Sequence, residues 1–497
     1  MDPPSFQITA ILLGITTILY LVLRTLYNLS TFTPYPPSPA HAPVRKMELA
    51  HLKYGPILRV APDAVCFAAA EAWNDMMQPP PGRPETILKD TQWFYPLPGM
   101  AVAMSQAVDP PSHAHIKKHI QPAFTARALR TQEPFIQRYV NLLIERLTDI
   151  ANKKTGKETE VDIVSWLNFA TFDIFGDLGF GESFGCLENA RYHPWVNLIF
   201  SNFKGVALMR AISYFPTLDW ILNRCIPPSI RKMQDDHVQF VRERVKRRLN
   251  YEFEREDIMS HVYRGGELEK AGEEGLDGET ITSVFWEMVM AGSETTATTL
   301  AGTIVLLIQN PDKLRLLEEE LRGKFARESC EDVGLNELQD LPYLNAVLKE
   351  GLRMCPPFPW ILPRVIPKGG ATICGASLPG GTKVSIHTVA LQRSTAYFHD
   401  PHGFHPERWL QSALTDTLSP FFNDRRDAAQ TFLVGPRACV GQSLAWAELR
   451  LILAKLVWSF DLSLPVDETK RIKWEDLRAY IVIEKPPIHV ALKPRRK

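Results

Sequence analysis

The chain lacks a cysteine framework. Its seven cysteines, Cys66, Cys186, Cys225, Cys330, Cys355, Cys374 and Cys439, are scattered over 497 residues and never form a CxxC pair. An odd, dispersed set excludes a disulfide scaffold and gives no zinc-site spacing. Charge of one sign is missing too: Lys+Arg and Asp+Glu both number 56, for a formal net charge of +0. No basic field of the kind that grips nucleic acid is present. Internal repeats and low-complexity tracts are absent. Beyond residue 43 no Pro/Gly/Ser-rich stretch is long enough to divide the chain, so residues 44–497 read as one domain.

Against these absences stands a long uncharged apolar run, Ile8 to Leu23, extendable to Leu29 if Arg24 snorkels. It approaches the roughly 20 residues that span a bilayer. A signal peptide is the alternative, but Asp2 precedes the run and no A-x-A site follows it. Arg24, Arg45 and Lys46 come after, which puts the body on the cytoplasmic side. Residues 1–30 therefore read as a transmembrane anchor and residues 31–43, ending in "TPYPPSPAHAP", as a proline-stiffened spacer.

Helical patterns dominate from about Pro134 to Leu352, among them Pro134–Asn152, Ser229–Arg255 and Glu279–Gln309. Short strand-like pieces lie at Ile57–Val60, Ala64–Phe67 and within Ile361–His387, where Gly369-Gly370 and Gly380-Gly381 mark turns. The fold expected is mainly α with small peripheral β-sheets. The pattern from Glu279 runs to the stop at Asn310-Pro311, on the order of 45 Å of helix.

Near the middle of that helix lies "AGSETT", Ala291 to Thr296, where a glycine and β-branched threonines are poor helix formers. Gly292 lets a neighbour approach the backbone, and Thr295 can hydrogen-bond the Ala291 carbonyl. Together they open a notch flanked by Thr295 and Glu294; a plain helix bend with a solvated glutamate is the alternative. Glu350 and Arg353 in "KEGLRM" share a helical face, a spacing also found at Glu252/Arg255 and Glu319/Arg322. Arg408 in "FHPERW" can complete a buried network with them, since a buried ion pair needs extra partners to offset desolvation.

Cys439 sits in "TFLVGPRACVGQSLAWAE", residues 431–448. Gly435 and Gly441 leave room for a flat ligand, Arg437 can reach an acidic group, and loop amides before the helix Gln442–Trp458 can donate to a thiolate. A thiolate with one open face opposite a notched helix suits haem iron. A buried structural cysteine, the alternative, accounts for neither the glycines nor Arg437.

The stretch "FLVGPRACVG", residues 432–441, resembles the haem-binding signature F-x-x-G-x-R-x-C-x-G of the cytochromes P-450. AGSETT, Glu350-x-x-Arg353 and Pro406-Glu407-Arg408 recur in that family's order, and the similarity spans residues 44–497. Phrases at 172–188 and 341–357 look like its membrane-bound fungal branch in secondary metabolism. The resemblance implies Cys439 as proximal thiolate ligand of haem b, with Phe432 packed beside it and Gly441 in the same loop. It implies Arg437, Arg364, His113 and Lys117 at the propionates, Lys117 standing where arginine is usual and lacking its bidentate fork. Glu294 and Thr295 become the distal acid and hydroxyl. Glu350, Arg353 and Arg408 become a structural network.

The activity so implied is a monooxygenase that puts one atom of O2 into a hydrophobic small molecule, with electrons from NADPH through NADPH-cytochrome P-450 reductase. Its setting is the endoplasmic reticulum membrane, single-pass in lipid, with the catalytic domain facing the cytoplasm. An isomerase or dehydratase on the same haem-thiolate fold and a non-catalytic haem sensor are the rivals. The retained Glu294/Thr295 pair argues against both. Substrate choice is expected at 91–108, 195–226, 288–291, 358–362 and 479–481. A zinc site at His113, His115 and His119 is opposed by Lys117 and Lys118. The basic run "RERVKRR" (242–248) reads as a solvated helix face, or else as a redox-partner contact. Two departures stand out: the chain before "KYGPILRVAPD" is short for the family, which puts the first helix in doubt, and "QRS" at 392–394 replaces H-R-S.

Overall fold

Alternation between long amphipathic segments and short Gly- and Pro-punctuated ones produces a helical body with small sheets at its edge. The computed structural model describes residues 44–495 apart from 80–84, 97, 154–158, 252–254, 264–274, 327, 328 and 361. The anchor and spacer expected within residues 1–43 lie outside the described residues. So does Glu252.

In chain order the longer helices are α1 (Val44–Tyr54), α2 (Pro110–Ile120), α3 (Ala126–Lys153), α4 (Ile163–Phe180) and α5 (Pro194–Ile212). They continue with α6 (Pro216–Cys225), α7 (Pro228–Leu249), α8 (Gly278–Gln309), α9 (Pro311–Lys324), α10 (Pro342–Met354) and α11 (Gln442–Ser459). The doubt over the first helix is answered by α1, which is formed. Among the described residues no helix is long and apolar enough to cross a membrane.

Asp277 starts α8 by accepting the Thr280 amide, and Asn310-Pro311 ends it. From Ile281 to Ile308 this helix is buried on nearly every side, so it lies inside the body rather than on its surface. It packs on α4, α7, α10 and α11. Helix α4 is capped by Asp162 and closed by Gly181 in the left-handed region at φ 73°. α3 begins eight residues before the expected start, because Pro134 lies inside it rather than at its first turn.

The strands are β1 (Ile57–Ala61), β2 (Ala64–Phe67), β3 (Leu88–Lys89), β4 (Thr159–Asp162), β5 (Arg364–Val365), β6 (Ala371–Ile373), β7 (Ala376–Leu378), β8 (Lys383–Ile386), β9 (Phe460–Ser463) and β10 (His489–Pro494). One sheet runs β1-β2-β8-β5-β3, parallel only between β2 and β8, and the others are β4-β10-β9 and β6-β7. Gly370 and Gly381 take positive φ at the expected turns. The first sheet carries Lys89 and Arg364 toward the site.

The basic run 242–248 is solvated only in part: Lys246 and Arg247 are exposed and Arg242 half-exposed. Arg244 and Arg248 are buried on α7: Arg248 pairs with Asp257 at 2.8 Å, while Arg244 lies over the rings of Phe184 and Phe240. Neighbouring elements, invisible in a local charge count, supplied the partners.

Candidate active site

Cys439 follows a short turn, Gly435–Arg437, that leads into α11. Its amide donates to the Phe432 carbonyl at 2.9 Å, which fixes the loop. Gly435 is required here for a different reason from the one expected: φ is 74°, and a Cβ would lie 2.2 Å from the Met77 carbonyl oxygen. Gly441 differs, since a Cβ there would meet nothing closer than Phe124 at 3.8 Å. Protein packing dictates Gly435, whereas Gly441 leaves clear space beside the thiol.

The thiol is enclosed by the molecule yet keeps exposed surface, because that surface looks into a cavity of about 350 Å³. Burial raises the Cys439 pKa, and the Gly441 amide opposes the rise. Phe432, Arg437, Thr295, His113, Arg364 and Gly441 line the same cavity. Residues separated by over three hundred positions thus converge.

Also lining the cavity, Thr295 donates to the Ala291 carbonyl at 2.6 Å, as its spacing predicts. Gly292 is explained by α4: a Cβ would press on the Phe175 ring at 3.0 Å. What approaches that backbone is a side chain of the protein. Glu294 is buried, not solvated, and turns from the cavity to pair with Lys485, which also donates to Thr298 at 2.5 Å. Burial raises the Glu294 pKa and Lys485 opposes the rise. Its Oε2 has no partner among the described residues.

Cations gather at one end. Arg437 meets Glu85 at 2.9 Å and donates to the Val108 carbonyl at 2.8 Å; Arg364 meets the same Glu85 at 2.5 Å. Burial disfavours the Glu85 carboxylate, but the two guanidiniums outweigh it and hold its pKa below the usual value. Lys89 stands nearby, its pKa pushed to about 7 by burial and by Arg437. Burial and Arg437 also bring His113 to about 4, so it is neutral at pH 7. Lys117 donates to the Pro436 carbonyl at 2.8 Å. Glu85, Lys89 and Lys485 were missed because nothing in their local sequence marks a partner so far along the chain. Lys89, Arg364 and Arg437 around Glu85 leave positive charge over, which suits an acidic group beside the thiol.

The zinc alternative fails: among the described residues no group of three or more His, Cys, Asp or Glu is placed to hold a metal. His113 is buried at the cavity, while the rings of His115 and His119 meet edge to face at 4.8 Å.

Beneath the site, Glu350 is saturated. Arg353 grips it with two bonds of 2.7 and 2.8 Å, and Arg408, Trp409 and the His405 amide add donors at 3.1, 2.8 and 3.0 Å. Arg408 also pairs with Asp424. Gln392 of the "QRS" departure sits against this knot, its carbonyl accepting from Arg353 at 2.8 Å and its amide reaching Thr431 at 3.4 Å.

A thiol-bearing loop and a hydroxyl-bearing internal helix lining one cavity, with a buried Glu-Arg-Arg knot elsewhere in the helical body, fit a haem-thiolate oxidoreductase. The family model described as Cytochrome P450 matches residues 41–492, and the chain belongs to that family, whose members carry a thiolate-bound haem. It is a monooxygenase. Similar proteins include Cytochrome P450 monooxygenase astJ of Aspergillus oryzae, 39% identical over 90% of this chain and 87% of the relative. Averantin hydroxylase of Dothistroma septosporum is 37% identical over 90% and 81%. Cytochrome P450 monooxygenase FUM2 of Gibberella moniliformis is 37% identical over 90% and 91%.

Proposed function

We propose that the Cys439 thiolate would hold haem b and that the enzyme carries out a tailoring oxidation of a hydrophobic small molecule in fungal secondary metabolism. The observation that carries this is one cavity lined by both Cys439 and Thr295. The haem supplies an iron centre that activates O2.

The chain's own residues do the rest. Arg364, Arg437 and Lys117 hold the propionates, with neutral His113 as a hydrogen-bonding neighbour. Phe432 closes the loop behind the thiolate, and Gly441 keeps its approach clear. Thr295, its proton committed to Ala291, presents lone pairs that hold a water in the cavity. Glu294, once its carboxyl swings from Lys485, returns protons to that water. The walls, which include Phe94, Met104, Met288, Phe358 and Leu362, exclude bulk water and favour an apolar scaffold such as a terpenoid, polyketide or peptide-derived ring system.

Electrons come from NADPH through a reductase. Residues 1–30 anchor the enzyme in the endoplasmic reticulum membrane with the catalytic domain on the cytoplasmic side. Exposed Leu208, Phe215, Trp220, Ile221 and Ile230 on and between α5, α6 and α7 form an apolar surface suited to lipid.

The test is the carbon monoxide difference spectrum of dithionite-reduced, full-length protein beside Cys439→Ala. A red-shifted Soret band, lost in the variant, is the expected result. Haem without that shift, or a shift that survives in Cys439→Ala, removes Cys439 from the role.

A further inference from the structure

The cavity holds a carboxylate that the assigned reaction does not use. Glu287 lies on α8 four residues before Ala291 and eight before Thr295, so the three share one helical face. It is enclosed by protein yet retains accessible surface, and that surface borders the cavity. Its donors come from Ser105: the amide, shared between Oε1 at 3.0 Å and Oε2 at 3.1 Å, and the side-chain hydroxyl. A carboxylate has about four lone-pair positions, so part of its accepting capacity is unspent. Glu350 shows what a carboxylate retained for structure looks like: Arg353, Arg408, Trp409 and the His405 amide all donate to it.

The surroundings narrow what Glu287 accepts. Lys89 donates to the Ser105 carbonyl at 2.6 Å, so Ser105 is gripped from both sides and its amide is held on Glu287. Burial raises the Glu287 pKa while the Ser105 bonds and Lys89 oppose the rise, so a second acid would be repelled by Glu287 and a second cation by Lys89. A neutral donor meets neither objection. Met104, Met288 and Phe94 surround the position with apolar surface, where a hydrogen bond to a charged acceptor is strengthened by exclusion of water.

We propose that Glu287 is the polar anchor of the substrate site, accepting a hydrogen bond from a hydroxyl, phenol or amide N–H of an otherwise apolar substrate. Eight residues of helix place that anchor about 12 Å along α8 from Thr295. The substrate therefore carries its donor group remote from the carbon that is oxidised, and the two are separated by a rigid or extended apolar span. This rests on the reading of the cavity as an apolar substrate site.

The probes are matched pairs, each a terpenoid or polycyclic aromatic alcohol or phenol and its O-methyl ether. They are titrated into full-length, haem-loaded protein and read by the low- to high-spin Soret shift. Wild type is expected to bind the hydroxyl member roughly ten- to a hundredfold more tightly than the ether. In Glu287→Leu that preference collapses to about twofold while the carbon monoxide spectrum is kept; Glu287→Gln, which retains an acceptor, keeps part of it. Equal binding of the pair by wild type, or a preference that survives in Glu287→Leu, overturns the anchor and leaves the apolar site standing. If neither member of any pair shifts the spectrum, the apolar site fails and the anchor with it.

Discussion

Two buried regions of this enzyme are built from the same residue types and treat them in opposite ways. At the knot of Glu350, Arg353 and Arg408 all three side chains are fully buried, and five donors surround one carboxylate. Along the cavity helix, Glu294 keeps one oxygen without a partner among the described residues, and Glu287 takes its hydrogen bonds from Ser105. Burial alone thus does not distinguish structure from function. Saturation sets these two regions apart, because a carboxylate with all its lone pairs engaged can neither move a proton nor greet a ligand, whereas one with capacity to spare costs stability to keep.

The largest effect should come from breaking the knot. Arg353→Leu leaves Glu350 buried without its main counter-charge, a loss of about 3–5 kcal/mol. Chemical unfolding of the variant, and its yield as soluble haem protein, measure this; a loss under about 1 kcal/mol would erase the contrast.

Lys485→Met should cost less, about 1–3 kcal/mol, because Glu294 can escape by taking up a proton. The sign with pH follows. Burial already raises Glu294 in the folded state, and losing Lys485 raises it further. The folded variant then holds a proton that the unfolded chain releases above its ordinary carboxyl range, so its stability falls as pH climbs through the raised value. Unfolding midpoints measured from the ordinary carboxyl range upward should therefore drop with rising pH more steeply in the variant than in wild type.

Thr295→Ala should have the smallest effect on folding, within about 1 kcal/mol, since alanine is the better helix former and the lost bond is local. Its effect is on chemistry: less product per NADPH consumed. Unchanged coupling would take Thr295 out of the proton path.

Legibility varied across the site with the distance over which the signal acts. The Thr295 bond to Ala291 was readable because it closes within one helical turn. The Glu350–Arg353 pair was readable as a spacing but not as a site, since Glu319/Arg322 shares it. Gly292 and Gly435 were read correctly as places needing no side chain, yet what presses on them is Phe175 and Met77, from elements far off in sequence. Arg244 and Arg248 were misread because a run of basic residues looks solvated until Glu182, Asp257 and two aromatic rings are brought against it.

By itself the sequence determined the elements, the thiol loop and the notched helix, since turn chemistry, helix stops and periodicity act over a few residues. Only the tertiary structure decided which charges face one another. Glu85 between Arg364 and Arg437, Lys485 on Glu294, and Lys89 and Glu287 about Ser105 are all contacts across the fold. Electrostatic partnership depends on distance in space and on exclusion of water, and neither is set until the chain has closed around its cavity.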